Sequence, residues 1–122
     1  MKSARHDAAA AAQRLIDLHF DIWNEADPRI RETKFALVYT PDFFVADQNG
    51  VATGYASVND LIQKVQGAHA GFVFTPAPVS WNHGVGRVTW GYGARSNPDT
   101  VRGEDIFTIK DGKLASAHVF LD

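Results

Sequence analysis

Residues 101–121 have the sequence VRGEDIFTIKDGKLASAHVFL. Two runs rich in β-branched and aromatic residues, 101–109 and 113–121, flank the pair Asp111-Gly112. Such residues are typical of strands, and an Asp-Gly pair favours a tight turn because both positions readily adopt positive φ. The stretch therefore predicts an antiparallel β-hairpin.

The register of this hairpin decides which side chains meet across the two strands. If Asp111-Gly112 forms a two-residue turn, Ile109 faces Leu114 and Asp105 faces His118. A loop one residue longer turns His118 to the opposite face, because side chains alternate along a strand. Both registers are open at this point.

The chain before the hairpin also predicts strands, from Phe72 onward. Val88, Trp90 and Tyr92 alternate along one run and therefore share a face. The turn signal Asn97-Pro98-Asp99 separates this run from the hairpin. The C-terminal part of the chain thus predicts a long antiparallel meander.

The N-terminal part predicts three helices. They span about 3–25, with Ser3 as the N-cap, about 29–39 after Asp27-Pro28, and about 57–67, on the evidence of caps and apolar residues at helical spacing. Helices followed by a meander predict the α+β class. The length of 122 residues is typical of one domain, so we expect a single domain over residues 1–122.

The composition argues against several classes of function. Twelve Lys and Arg against fourteen Asp and Glu give a net charge of −2, which attracts neither nucleic acid nor an anionic membrane. The absence of cysteine excludes a thiolate nucleophile and disulfides. No run approaches the ~20 apolar residues of a membrane span, and the first residues lack the apolar core of a signal peptide, so we expect a cytoplasmic protein.

Metal and cofactor motifs are not evident. The five histidines have no spacing typical of a metal site. The glycines of Gly84-Val85-Gly86 and Gly91-Tyr92-Gly93 lie beside predicted strands. A phosphate loop would instead lie between a strand and a helix. We therefore expect no metal and no cofactor.

Several motifs, in this order along the chain, resemble the nuclear transport factor 2-like superfamily, and within it the branch of SnoaL-like polyketide cyclases and ketosteroid isomerases. They are Trp23-Asn24-Glu25-Ala26-Asp27, Tyr39-Thr40-Pro41-Asp42, Asp47 with Gly50 and Gly54, Gly103-Glu104-Asp105-Ile106-Phe107, and Asp111-Gly112-Lys113-Leu114. The resemblance covers nearly the whole chain. It implies a cone in which three N-terminal helices pack on a strongly curved, mostly antiparallel sheet that encloses a pocket.

Two kinds of function are compatible with this resemblance, because the fold hosts both. The first is an enzyme that performs acid/base chemistry without a cofactor, such as isomerisation, aldol cyclisation or dehydration, on a small hydrophobic carbonyl compound. The second is a non-catalytic domain that binds a small ligand or acts as a dimeric interaction module. The enzyme requires titratable groups that converge inside the pocket.

Asp105 is the first candidate for such a group. It shares a strand face with Val101, Phe107 and Ile109, so its carboxylate is poorly solvated and its pKa is expected to rise unless it is paired. The resemblance implies an acid/base role, as in SnoaL-like cyclases, or a protonated hydrogen-bond donor, as in ketosteroid isomerase. The structural alternative is a carboxylate satisfied by a buried partner.

Two histidines are candidates to assist Asp105. His118, if it faces Asp105, would be held in one tautomer and serve as a base. His19 lies at the middle of the apolar arc of the first predicted helix. The resemblance places His19 where ketosteroid isomerase has its oxyanion-hole tyrosine, so His19 is either a hydrogen-bond donor to a substrate carbonyl or a core histidine.

Asp47 is the fourth candidate for a catalytic residue. The resemblance places it at the position of the general base of the isomerase, whereas its sequence context is equally that of a turn cap. Four aromatic residues are candidates to bind the substrate or, alternatively, to fill the core: Trp23, Tyr39, Trp90 and Tyr92.

The outer face of the hairpin predicts a homodimer. In the register of a two-residue turn, this face carries Ile106, Ala115, Ala117, Val119 and Leu121. That is more apolar surface than a monomer usually exposes. The resemblance implies the same mode of dimerisation.

Overall fold

The computed structural model describes residues 4–122 and contains three helices. These are α1 (Ala4–Asn24), α2 (Pro28–Val38) and α3 (Tyr55–Ala68). The three predicted helices are confirmed, with ends within two residues of the predicted ones, and the predicted cap Ser3 lies outside the described residues. None of the described helices is both long and apolar enough to cross a membrane.

Seven strands form one sheet over the described part of the chain. They are β1 (Tyr39–Asp47), β2 (Gly50–Thr53), β3 (Val73–Pro76), β4 (Ser80–Asn82), β5 (Val85–Ala94), β6 (Asn97–Lys110) and β7 (Lys113–Leu121). Their spatial order is β2-β1-β7-β6-β5-β3, and β4 pairs with β5 as well. Neighbours are antiparallel except for β1 and β7, which are parallel.

The helices cover the concave face of this open sheet. Their apolar residues and the inward residues of the strands form one buried cluster that includes Ile16, Phe35, Val58, Val88 and Phe107. The prediction of an α+β cone, with three helices on a curved and mostly antiparallel sheet, is thus confirmed.

A β-bulge in the last hairpin sets the register of β6 against β7. Ile109 pairs with Leu114, as expected for a two-residue turn, but Thr108 then pairs with Ser116. Ala115 is therefore an extra residue in β7, and every later residue of that strand is shifted by one position. The shift reverses which face each side chain occupies.

The predicted pairing of Asp105 with His118 is wrong for this reason. Asp105 pairs with Val119, and His118 pairs with Ile106 on the outer face. His118 is exposed, and its ring packs edge-on against Phe44 at 5.5 Å between ring centroids. It lies on the opposite side of the sheet from Asp105 and cannot assist it.

The same bulge changes the predicted dimer surface. Ala117, Val119 and Leu121 turn toward the concave side, where they line a pocket, so their assignment to the outer face is wrong. The outer face instead carries His118 and Phe120, which is 57% exposed. The homodimer itself stays a prediction.

A buried arginine, which no sequence pattern indicated, ties the three helices together. Arg31 of α2 is fully buried. Its guanidinium donates to Oδ1 of Asn59 at 2.7 Å, to the backbone carbonyl of Glu25 at 2.6 Å, to Oε1 of Gln63 at 2.8 Å and to Oε1 of Gln66 at 3.2 Å. These bonds connect the segment after α1 to α2 and α3.

Candidate active site

The concave side of the sheet encloses a pocket of about 320 Å³ beneath α1 and α3. Its walls are mostly apolar, and the aromatic members are Phe20, Trp23, Phe74, Trp90 and Tyr92. Aliphatic side chains of the strands and of α3 complete them: Val45, Leu61, Val65, Ala68, Val101, Ala117, Val119 and Leu121. This size and lining are typical of a site for a small molecule.

His19 and Asp105 lie side by side in this pocket. His19 comes from the apolar face of α1 and Asp105 from the inner face of β6, and they are only 3% and 4% exposed. The Nε2 atom of His19 is 3.7 Å from Oδ2 of Asp105. That distance exceeds a hydrogen bond, so the two atoms are neighbours that can both address one bound group.

Trp90 holds the second oxygen of Asp105. The indole Nε1 of Trp90 donates to Oδ1 of Asp105 at 2.9 Å. Gly103 permits this arrangement, because it pairs with Trp90 across β5 and β6, and a Cβ at Gly103 would overlap the six-membered ring of the indole. The indole therefore occupies the space beside Gly103, with its N–H directed at Asp105 two residues further along β6.

Tyr39 lies behind His19 rather than in the pocket wall. It is fully buried, stacks on Phe43 with 3.9 Å between ring centroids, and does not line the pocket. The prediction that Tyr39 contacts a substrate is therefore wrong. Its Oη is instead 2.6 Å from Nδ1 of His19.

This contact determines the tautomer of His19. Burial raises the pKa of Tyr39 well above its ordinary value, and the negative charge of Asp105 adds to the rise. The nearby indole of Trp23 acts in the opposite direction and lowers the pKa of Tyr39, although its Nε1 makes no hydrogen bond within the described residues. The phenol thus stays protonated, and a buried O–H needs an acceptor.

Nδ1 of His19 is the acceptor that the described structure provides for this phenol. The proton of a neutral His19 is then on Nε2, the nitrogen that faces Asp105 and the pocket. His19 is accordingly a buried histidine that is bonded to a side-chain hydroxyl and keeps one N–H free for the pocket.

The remaining predicted residues divide between the pocket and the turns. Trp23, Trp90 and Tyr92 line the pocket. Asp47 lies at the edge of the same pocket, but its Oδ1 accepts from the backbone N–H of Asn49 at 2.8 Å and of Gly50 at 3.1 Å. That is the geometry of a turn cap, which occupies one of its two carboxylate oxygens.

Two residues of the pocket rim were not singled out from the sequence. Lys64 on α3 and His69 just after α3 line the pocket, and both are exposed. The signal was present for Lys64, because it shares a helix face with Leu61 and Ala68, three residues before it and four after. Among residues 7–122, no three His, Asp or Glu side chains come together as metal ligands would.

Comparison with known proteins shows likeness in structure rather than in sequence. The sequence matches no known family profile and no curated protein. Among solved structures, a proposed isomerase of the SnoaL-like family from Agrobacterium tumefaciens is similar, with a TM-score of 0.85 at 17% identity over 93% of this chain and 98% of that chain.

Two further structures extend this likeness. A proposed polyketide cyclase from Sinorhizobium meliloti has a TM-score of 0.72 at 18% identity and covers 91% of this chain and 97% of that chain. A proposed ketosteroid isomerase from Kribbella flavida has a TM-score of 0.69 at 16% identity, over 93% and 78% respectively. At these identities the likeness concerns the fold, so the chain has the nuclear transport factor 2-like fold in the form seen in SnoaL-like and ketosteroid isomerase-like structures.

Proposed function

We propose that the protein is an enzyme that transfers a proton on a small, mainly apolar carbonyl compound without a cofactor. One observation carries this proposal. In a mostly apolar pocket, an oxygen of Asp105 that makes no hydrogen bond with the described residues lies 3.7 Å from the N–H nitrogen of His19. A carboxylate and a hydrogen-bond donor at this spacing are the two groups that enolisation requires.

Asp105 is the proposed acid/base. Trp90 occupies Oδ1, which leaves Oδ2 to take a proton from the carbon next to the carbonyl group. The same oxygen then returns the proton to another carbon in an isomerisation, or to a leaving oxygen in a dehydration. The apolar walls favour this step, because they keep bulk water away from the reacting atoms.

His19 is the proposed electrophilic group. As the substrate loses its proton, negative charge grows on the carbonyl oxygen, and the Nε2–H of His19 donates a hydrogen bond to it. The bond from Tyr39 to Nδ1 keeps the proton of His19 on Nε2. Tyr39 is thus a positioning residue, which acts through His19 and does not touch the substrate.

The structurally similar proteins support the general class of reaction and not a particular substrate. Their names include proposed isomerases and a proposed cyclase, at identities of 16–18%. A non-catalytic binding pocket is the second candidate, and one observation favours it. Asp105 and His19 each already hold one hydrogen bond to the protein, from Trp90 and from Tyr39.

Deuterium exchange tests the proposal without knowledge of the natural substrate. A panel of small ketones with an apolar group, some β,γ-unsaturated, is incubated with the protein in D₂O, and exchange next to the carbonyl is followed by proton NMR. We expect catalysed exchange for at least one member and its loss in Asp105→Asn, which keeps an oxygen for Trp90. Asp60→Asn, at an exposed position of α3, is the matched control.

Two outcomes would contradict an enzymatic role. Exchange that persists at full rate in Asp105→Asn would remove that carboxylate from the mechanism. Ketones that quench the fluorescence of Trp23 and Trp90 but never exchange their protons would identify a binding protein.

A further inference from the structure

One ammonium group stands at the rim of this apolar pocket. Lys64 projects from the α3 face that also carries Leu61, Val65 and Ala68. It lines the pocket and is exposed, which places it at the opening rather than at the floor. Of the described residues that line the pocket, it is the only lysine or arginine.

The charge of Lys64 is not neutralised by a close protein partner. No carboxylate of the described residues lies within 4.0 Å of its ammonium group. Asp47, the other charged residue at the edge of the pocket, is bound to the amides of its own turn. An ammonium beside apolar walls and without a counter-ion favours an anionic group of a ligand.

The inner end of the pocket, which we call its floor, carries a carboxylate instead of an ammonium group. Asp105 is buried there, and its carboxylate repels any anionic group that approaches it in the low dielectric of the apolar walls. A ligand with one anionic end therefore has a single favourable orientation, with that end at Lys64 and its neutral end at His19 and Asp105.

His69 is a second polar, exposed residue of the pocket lining. It follows the last residue of α3, is exposed, and stacks on Phe72 with 5.1 Å between ring centroids. The stacking restrains its ring beside the opening, where a ring N–H can bind a carboxylate oxygen. Lys64 and His69 lie about one and a half helical turns apart in sequence, on the segment that borders one side of the pocket.

We propose that the pocket takes a small keto acid whose carboxylate is bound at the rim by Lys64, with the apolar part and the reacting carbonyl group directed inward. The carboxylate subsite is independent of the chemistry at the floor. Only the placement of the reacting carbonyl rests on the function proposed above.

A pair of probes that differ only in charge tests this subsite. The probes are 4-oxo-4-phenylbutanoate and its primary amide, and binding is measured by quenching of Trp23 and Trp90, which line the pocket. We expect the carboxylate to bind about fivefold tighter than the amide at low salt, as a partly exposed ion pair would give. The advantage should shrink as salt is added.

Variants of Lys64 assign the effect to that residue. Lys64→Met keeps an unbranched side chain of nearly the same length without the charge, and should remove the preference for the carboxylate without changing the affinity for the amide. Lys64→Arg should retain the preference. Lys110→Met, at the exposed end of β6, is the control and should behave as the wild type.

The proposal is overturned if the wild type binds both probes equally, if it binds neither, or if Lys64→Met keeps the preference. It is also overturned if Lys64→Met lowers the stability of the protein but leaves the binding of both probes unchanged. Lys64 would then only balance charge near the C-terminus of α3. These results are distinct from failure of the proposed reaction, because ketone exchange that depends on Asp105 can persist when the carboxylate preference is absent.

Discussion

Tyr39 Oη lies 2.6 Å from His19 Nδ1, so a residue that never reaches the pocket determines which nitrogen of His19 presents a proton to it. The two rings meet because α1 brings His19 onto the start of β1. Without this phenol, a neutral His19 could carry its proton on either nitrogen. Control of the tautomer is therefore a property of the fold around the site and not of the pocket wall.

Tyr39→Phe should release this control while leaving the pocket wall in place. Loss of one hydrogen bond to a buried acceptor should cost about 1 kcal/mol of unfolding free energy. Nitrogen-15 NMR of His19 should change from a single Nε2–H tautomer toward a mixture. If catalysis is found, kcat should fall more than KM changes. An unaltered nitrogen spectrum would show that another group holds the tautomer.

His19 and Tyr39 should be strongly coupled in stability. His19→Phe leaves the buried hydroxyl of Tyr39 without its acceptor and should cost about 1–3 kcal/mol. The double variant His19→Phe/Tyr39→Phe removes both partners and should cost clearly less than the two single changes added together. Urea unfolding of the four proteins gives the coupling energy. Simple additivity would mean that the contact contributes nothing.

Stability should fall at alkaline pH because of Tyr39. Its folded-state pKa is raised above the value of about 10 for an unfolded chain, so its contribution is intact below pH 10. As the pH rises further, the phenol ionises first in the unfolded state, which stabilises the unfolded state and makes unfolding easier. Burial raises the pKa of Tyr92 too, in the same direction.

The measurement for this prediction is the free energy of unfolding in urea from pH 8 to pH 11.5. Tyr39→Phe should lose less stability over that range than the wild type does. Equal losses in the two proteins would show that ionisation of Tyr39 is not linked to folding.

Gly103→Ala should disturb the site from the neighbouring strand. The added Cβ would overlap the indole of Trp90, and the shift that relieves this overlap would disturb the hydrogen bond of the indole to Asp105. We expect the free energy of unfolding to fall by about 1–3 kcal/mol, which is typical of overpacking, and the tryptophan fluorescence to change. Gly67→Ala is the control, because a Cβ there meets open space on α3 and should be neutral or stabilising by up to about 1 kcal/mol. Equal stability of the two variants would contradict the argument.

Arg31→Met should destabilise the helical layer. The change leaves Oδ1 of buried Asn59 without its donor and removes one of the two donors to the carbonyl of Glu25, which also accepts from Gln66. The cost is about 1–3 kcal/mol for each group left unpaired where water cannot reach it. We expect a total loss of at least about 2 kcal/mol in thermal or urea unfolding. Arg29→Met, whose side chain is 89% exposed, should stay within about 0.5 kcal/mol of the wild type. A similar result for both would show that the buried network is dispensable.

The sequence by itself determined the elements of the fold and the inward direction of His19 and Asp105. Both follow from local periodicity, since apolar spacing along α1 and alternation along β6 are encoded within a few neighbouring residues. The Asp111-Gly112 turn was predictable for the same reason, because it requires positive φ at both residues, and both have it. The helices and the α+β class therefore needed no tertiary information.

The tertiary structure alone decided how the site is assembled. Nothing local marks Ala115 as the extra residue of a bulge, because that depends on how the far ends of β6 and β7 fit against β1 and the core. The bulge exchanged His118 for Val119 opposite Asp105. Tyr39 and His19 are 20 residues apart, and the spacing of residues within either segment cannot indicate that they meet. Contacts between distant elements depend on packing of the whole chain, and that packing placed Tyr39 behind His19 instead of in the pocket wall.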